Sequence, residues 1–316
     1  MKNPFVTNGY VSPEYFCDRE KETAKIVSLL TNENNIALIS PRRLGKTDLL
    51  RHCFGQPEIK EHYHTFIIDI YATSSVRDFV NVFGKAVLDE LRPKGKSVWG
   101  TFLNVLASLR SEITFDMNGQ PTWGIGLGAI TNPSATLDEI FSYLNNAGKP
   151  CLIAIDEFQQ ITKYADDPNI EAALRTHIQR CSNAHFVFSG SHRHLMGAMF
   201  TSPARPLYQS VTLINLPPIS VDKYAEFCLK HFERVSKHLD TLVVTELYER
   251  FNGITSYMQK VMNILFSMTG TGEICIPSMI DTAINDLLDF SADTYDALLY
   301  QMPEKQRIVF MAIAAE

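Results

Sequence analysis

Two patterns of apolar positions alternate over the first two thirds of the chain: stripes at helical spacing and short unbroken runs. In CDREKETAKIVSLLTN, Ile26, Val27, Leu29 and Leu30 form a stripe behind Asp18 as N-cap, which predicts a helix ending at the loop NENN. IALIS follows as an apolar run, and after a glycine-containing loop KTDLLRHCF carries Leu49, Leu50, Cys53 and Phe54 at helical spacing. Thr65 to Ala72 (TFIIDIYA) and the helix-like SVRDFVNVFGKAVLDEL repeat the unit. The stretch ITFDMNGQPTWGIGLG reads as a hairpin around Asn118-Gly119. Its Gly124, Gly126 and Gly128 lack the spacing and context of a dinucleotide fingerprint and read as strand glycines.

Thr136 and Glu139 have the spacing of a capping box for LDEIFSYLNNAGKP, with Gly148 closing that helix. CLIAIDE is apolar through Ile155 without alternation, which suits a parallel strand covered on both faces. NIEAALRTHIQRC, HFVFSGS and VTLINL add a helix and two strands, and the repeated βα pattern predicts an α/β doubly wound parallel sheet. From Ser220 the runs disappear: SVDKYAEFCLKHFERV, LVVTELYERFNG, YMQKVMNILFSM and SMIDTAINDLLDF are all helical in period. QMPEKQRIVFMAIAAE starts a further helix, with Pro303 in its first turn, and stops on apolar residues without a cap. The expected domains are 1–218 (α/β), 219–290 (helical) and 291–316, the start of a C-terminal module that continues beyond the sequence.

Composition changes this picture little. A chain of 316 residues with 45% hydrophobic content has core enough for two or three domains. A net charge of -6 gives no overall attraction to nucleic acid or to an anionic membrane. The six cysteines are scattered without a CxxC pair, and MKNPFVTNGY lacks the apolar stretch of a signal peptide, so a soluble, cytoplasmic protein with reduced thiols is expected. His62 and His64, or His192 and His194, could pair on a metal, but neither pair has a third ligand nearby in the sequence.

The chemistry lies in two motifs. SPRRLGKT, between a strand and a helix, has the close of a phosphate loop, with Ser40 where the consensus GxxxxGK[ST] has its first glycine. In such a loop Gly45 permits close backbone approach, Lys46 supplies charge for the β- and γ-phosphates and the Thr47 hydroxyl is a ligand for Mg²⁺. The loop residues Ser40, Pro41, Arg42, Arg43, Leu44 and Asp48 complete the expected nucleotide contacts. At the end of CLIAIDE, Asp156 stands where a carboxylate linked to Mg²⁺ is needed, and Glu157 is the candidate to activate the attacking water.

With YFCDREKE, SPRRLGKT, IAIDEFQQI, FVFSGSHRHLM and PLYQSVTLINLPPIS in this order before a helical region, the chain resembles the P-loop ATPases of the AAA+ superfamily. Within them it resembles the archaeal and bacterial group related to the STAND NTPases. The resemblance implies a P-loop NTPase fold with a helical lid, ATP and Mg²⁺ as ligands, Walker A and Walker B motifs at Lys46 and Asp156, and slow hydrolysis coupled to lid movement. It places Phe16, Asp18, Arg19 and Glu20 near the adenine, and Ser191, with Ser189 as the alternative, at the sensor of the γ-phosphate. It leaves Arg193 and Arg205 as candidates for an arginine that reaches the γ-phosphate of a neighbouring copy. A rival expectation from the same resemblance, whose members often continue into a winged-helix module, is a nucleotide-dependent switch that binds DNA or protein through that C-terminal module, with slow or incidental hydrolysis.

Overall fold

The computed structural model describes residues 3–91, 112–115, 121–124 and 132–314. The chain divides into two compact units, one running Arg19–Pro217 and one made of Met1–Asp18 together with Pro218–Glu316.

The first unit begins with α1 (Glu20–Thr31), β1 (Ile36–Ile39), α2 (Lys46–Phe54), α3 (Pro57–His62), β2 (His64–Asp69) and α4 (Val76–Glu90). It continues with β3 (Glu112–Phe115), β4 (Pro121–Gly124), α5 (Pro133–Asn145), β5 (Cys151–Asp156), α6 (Ile170–Arg180), β6 (Ala184–Gly190), α7 (Arg193–Thr201) and β7 (Thr212–Asn215). Five strands form the parallel sheet expected from the βα pattern, in the order β2-β5-β6-β1-β7. Central strands β1, β5 and β6 are buried at every position, whereas edge strands β2 and β7 are only partly so. This is why the central runs lack alternation: helices cover both faces. β3 and β4 pair antiparallel as the predicted hairpin, while its turn Asn118-Gly119 and the residues Gly126 and Gly128 lie outside the described residues.

Helix starts depart from the sequence reading in two places. Asp18 does not cap α1: Arg19 occupies the cap position, and both have left-handed backbones (φ 55° and 78°) instead of the extended one that lets a cap side chain reach back. α5 starts before Thr136, because Pro133 is preset for the first helical position and Asn132 caps it by accepting from the Ala135 amide at 3.2 Å. Thr136 instead donates its hydroxyl to the Asn132 carbonyl at 3.0 Å, and the helix ends at Asn145, ahead of Gly148.

The second unit contains α8 (Val221–Glu233), β8 (His238–Leu239), α9 (Thr241–Arg250), α10 (Thr255–Met268), β9 (Ile274–Cys275), α11 (Ile280–Gln301) and α12 (Glu304–Ala314). Residues 1–18, expected at the head of the α/β domain, group with these helices. The reason is Phe5, which is fully buried with its ring 5.7–6.0 Å from those of Phe227, Phe232 and Phe266, while Asn263 donates to the Phe5 carbonyl at 2.7 Å. The parallel pair β8–β9 is too short to show as a period in the sequence. α11 is one helix of 22 residues across the expected boundary at 290, and beyond Ala283 it buries no side chain. All six cysteines are buried, and none forms a disulfide among the described residues. Among the described residues, no helix is long and apolar enough to cross a membrane.

Burial pushes His52, His177 and His185 of the first unit, and His231 of the second, below their ordinary value of 6.5; near His177 and His185 the carboxylates of Asp138 and Glu33 partly oppose this. Each therefore binds protons more readily unfolded than folded, so the stability it permits is complete above 6.5 and is lost as pH falls below it. The thermal midpoint is expected to fall between pH 7 and pH 5. A midpoint unchanged over that interval would contradict the assignment.

Candidate functional site

β5, β6 and β1 are neighbours and run parallel, so their C-terminal ends meet at one edge of the sheet, where ligands of open α/β sheets bind. Ile39 ends β1 opposite Gly190 at the end of β6. The next residue, Ser40, donates its amide to the Gly190 carbonyl at 3.4 Å and its hydroxyl to the Pro41 carbonyl at 3.0 Å. From there the loop turns through left-handed backbones at Arg43 (φ 69°) and Gly45 (φ 81°), while Ser40 is not among the positions of positive φ. The serine at the first consensus position is thus accommodated without the freedom that only glycine has.

Gly45 stands at the N-cap of α2, so Lys46 and Thr47 form its first turn, where free amides and the helix dipole attract anions. Lys46 is buried, and its Nζ donates to the carbonyls of Ser40 at 3.1 Å and Pro41 at 3.2 Å. Burial lowers its pKa, Asp156 and Glu157 oppose the shift, and Arg42 adds to it. Leu44 is buried and anchors the loop, whereas Arg42 and Arg43 are exposed; Asp48 accepts from Arg51 at 3.4 Å.

Asp156, at the end of β5, meets this loop. Its Oδ2 accepts from the Thr47 hydroxyl at 2.5 Å, and its Oδ1 from the Glu157 amide at 3.0 Å. Glu157 then takes a left-handed turn (φ 55°), and its Oε2 accepts from the Ser191 hydroxyl at 2.9 Å and from Gln159 Nε2 at 2.5 Å. Arg42 Nε donates to Ser191 Oγ at 3.4 Å, and its guanidinium lies 5.6 Å from the centre of the exposed Tyr71 ring. The chain thus brings Lys46, Thr47, Asp156, Glu157, Ser191 and Arg42 together from three strand ends.

The other expected site residues make contacts of their own. Ser189 is fully buried, with no partner for its hydroxyl among the described residues. Arg205 is paired with the buried carboxylate of Glu171, whose pKa burial raises and Arg205 lowers. Arg193 is exposed at the start of α7 and lines a cavity with Pro41 and Ser191. Arg19 is buried, donating to Glu22 at 2.9 Å and to the Pro217 carbonyl at 2.7 Å. Phe16 packs edge-on to Tyr10 at 5.6 Å, Asp18 makes a left-handed turn, and Glu20 opens α1. Gln159 and Tyr71 escaped the sequence reading. Both stand just past strand ends, where no spacing rule singles out a glutamine or a tyrosine.

A family model described as an ATPase domain predominantly from Archaea matches residues 16–261. No curated protein matches the sequence significantly. Among solved structures, a Walker-type ATPase of Pyrococcus abyssi aligns with TM-score 0.64 at 18% identity, covering 94% of this chain and 79% of that one. The Aeropyrum pernix ORC2 protein in ADPNP and ADP complexes aligns with TM-score 0.59 at 14% identity, over 90% of this chain and 71% of that one. The Aeropyrum pernix ORC1 protein in complex with DNA aligns with TM-score 0.56 at 13% identity, over 96% and 73%. These likenesses establish the P-loop, AAA+-like fold, and the family match covers well over half of the sequence. The chain belongs to the family of ATPase domains found predominantly in Archaea.

Proposed function

We propose that this chain binds ATP together with Mg²⁺ and hydrolyses it at the loop Ser40–Asp48, slowly when alone. The observation that carries the reading is the contact of the Thr47 hydroxyl with the Asp156 carboxylate, 2.5 Å, beside the buried Lys46. A hydroxyl and a carboxylate are the hard oxygen donors that Mg²⁺ accepts, and they suit a site that leaves room for phosphate oxygens. Bound there, Mg²⁺ would neutralise charge on the β- and γ-phosphates.

The chain's own groups do the rest. Lys46 neutralises the phosphates, and the amides at the start of α2 hold them. Ser191 contacts the γ-phosphate or the attacking water. Glu157 takes the proton of that water as its oxygen bonds to the γ-phosphorus and the bond to ADP breaks. Slow turnover follows from the commitment of Arg205 to Glu171, which leaves Arg193 as the candidate in this region for charge supplied to a neighbouring copy. Loss of the γ-phosphate is coupled to movement of the helical unit, which the chain leaves after Asp18 and re-enters at Pro218. Arg19 supports this coupling, since it bonds Pro217 at the second crossing.

Thr47→Ala is the direct test of the metal assignment. The Mg²⁺ concentration giving half-maximal hydrolysis should rise by about tenfold or more, as expected for loss of one charge-assisted contact. An unchanged Mg²⁺ titration, or hydrolysis that persists in excess chelator, would refute the reading.

One observation favours a second reading, a nucleotide-dependent switch that binds a macromolecule. α11 and α12 expose large apolar residues, among them Phe290, Leu298, Tyr300, Ile308 and Phe310. Asp281, Asp286, Asp289, Asp293 and Asp296 lie on α11 without a lysine or arginine, so protein is a better match for this helix than DNA.

A further inference from the structure

Gln159 is the second residue of the 3-10 turn Phe158–Lys163 and is buried. Its Nε2 gives Glu157 Oε2 a 2.5 Å hydrogen bond, while its Oε1 is buried without a partner among the described residues. An amide with its acceptor unsatisfied and its donor on a carboxylate is held for that one contact, since stability alone would favour an apolar side chain here.

Three features hold it there. Phe158 and Ile161 are buried in the core on either side. Thr162 donates to the Gln159 carbonyl at 2.8 Å, and Gln160 to the Thr73 carbonyl at 2.9 Å, so the backbone of the turn is clamped. Lastly, residue 190 has no side chain: a Cβ on Gly190 would lie 2.4 Å from Gln159 Oε1 and 2.5 Å from Met196 Sδ. That approach is closer than side chains tolerate, so glycine at the end of β6 is what lets Gln159 lie across the strand and reach Glu157.

We propose that Gln159 is a positioning residue for hydrolysis: with Ser191 it fixes Glu157 Oε2 and leaves Oε1 as the acceptor for the attacking water. This assignment rests on Glu157 being the carboxylate that activates water. Gln159 does not touch the nucleotide; it acts through Glu157.

The test compares wild type, Gln159→Leu, Glu157→Gln and the double variant by single-turnover ATP hydrolysis, by binding of a non-hydrolysable ATP analogue and by thermal melting. Gln159→Leu should lower the rate by about tenfold to a hundredfold, the cost of a misplaced catalytic group, with analogue affinity and melting midpoint retained. In the double variant the second change should add nothing to the loss in Glu157→Gln, because the two residues act as one unit. A wild-type rate in Gln159→Leu, or losses that multiply in the double variant, would overturn the assignment. Should Gln159→Leu not fold, Gln159→Met, unbranched and of similar length, serves with the same readouts, and a wild-type rate there refutes the contact. Wild-type hydrolysis in Glu157→Gln would remove the underlying reading as well, whereas loss there with normal Gln159→Leu removes this inference alone.

Discussion

Glu157→Gln binds Mg²⁺-ATP as the wild type does and hydrolyses it about 10² to 10⁴ times more slowly, the usual contribution of a positioned general base. The substitution is conservative in this setting. Its carbonyl oxygen can still accept from Ser191 and Gln159, as Glu157 Oε2 does at 2.9 Å and 2.5 Å, so the left-handed turn after Asp156 and the arrangement of β5 and β6 should persist. What is lost is the oxygen that takes a proton from water. Asp156 and Thr47 keep their own contact, and nucleotide binding is untouched. Single-turnover hydrolysis with protein in excess, measured beside equilibrium ATP binding, separates the two. Equal rates in variant and wild type would assign water activation to another group; joint loss of binding and rate would make Glu157 a structural residue.

How much of this was legible in the sequence depended on how local the signal was. β1, β5 and β6 are unbroken apolar runs because both faces are covered, and the residue types that end them mark where chemistry belongs. The loop Ser40–Thr47 was legible for the same reason: glycine, lysine and threonine are needed at a fixed spacing on a strand-to-helix turn. Gln159 was not, since its meaning depends on Gly190, thirty-one residues away in sequence and on the neighbouring strand. Nor was the pairing of Arg205 with Glu171, which engages an arginine that looked available. The N-terminal residues were misplaced on similar grounds. Phe5 belongs to a core built of Phe227, Phe232 and Phe266, more than two hundred residues later, and no local period announces that.

Lys46→Met weakens ATP binding by about thirtyfold to several thousandfold, the range found when one member of a buried charged pair is removed. Methionine is the informative replacement because Lys46 is buried at the start of α2, and an unbranched apolar side chain fills that space without leaving a cavity. The variant is relieved of the burial cost that lowers the lysine's pKa but leaves Asp156 and Glu157 one cation short, so binding is measured well below the variant's own melting midpoint, and weakened binding cannot then be laid to unfolding. Lys46 also offsets the carboxylates of Asp156 and Glu157, which raise its pKa in return. Without it, a polyphosphate entering the loop meets two carboxylates with one cation fewer. The loss should therefore be larger for ATP than for ADP, and it should shrink as salt screens the repulsion. An ATP affinity within about threefold of wild type would mean that the amides of α2 hold the phosphates unaided and that Lys46 serves the loop alone, through the carbonyls of Ser40 and Pro41.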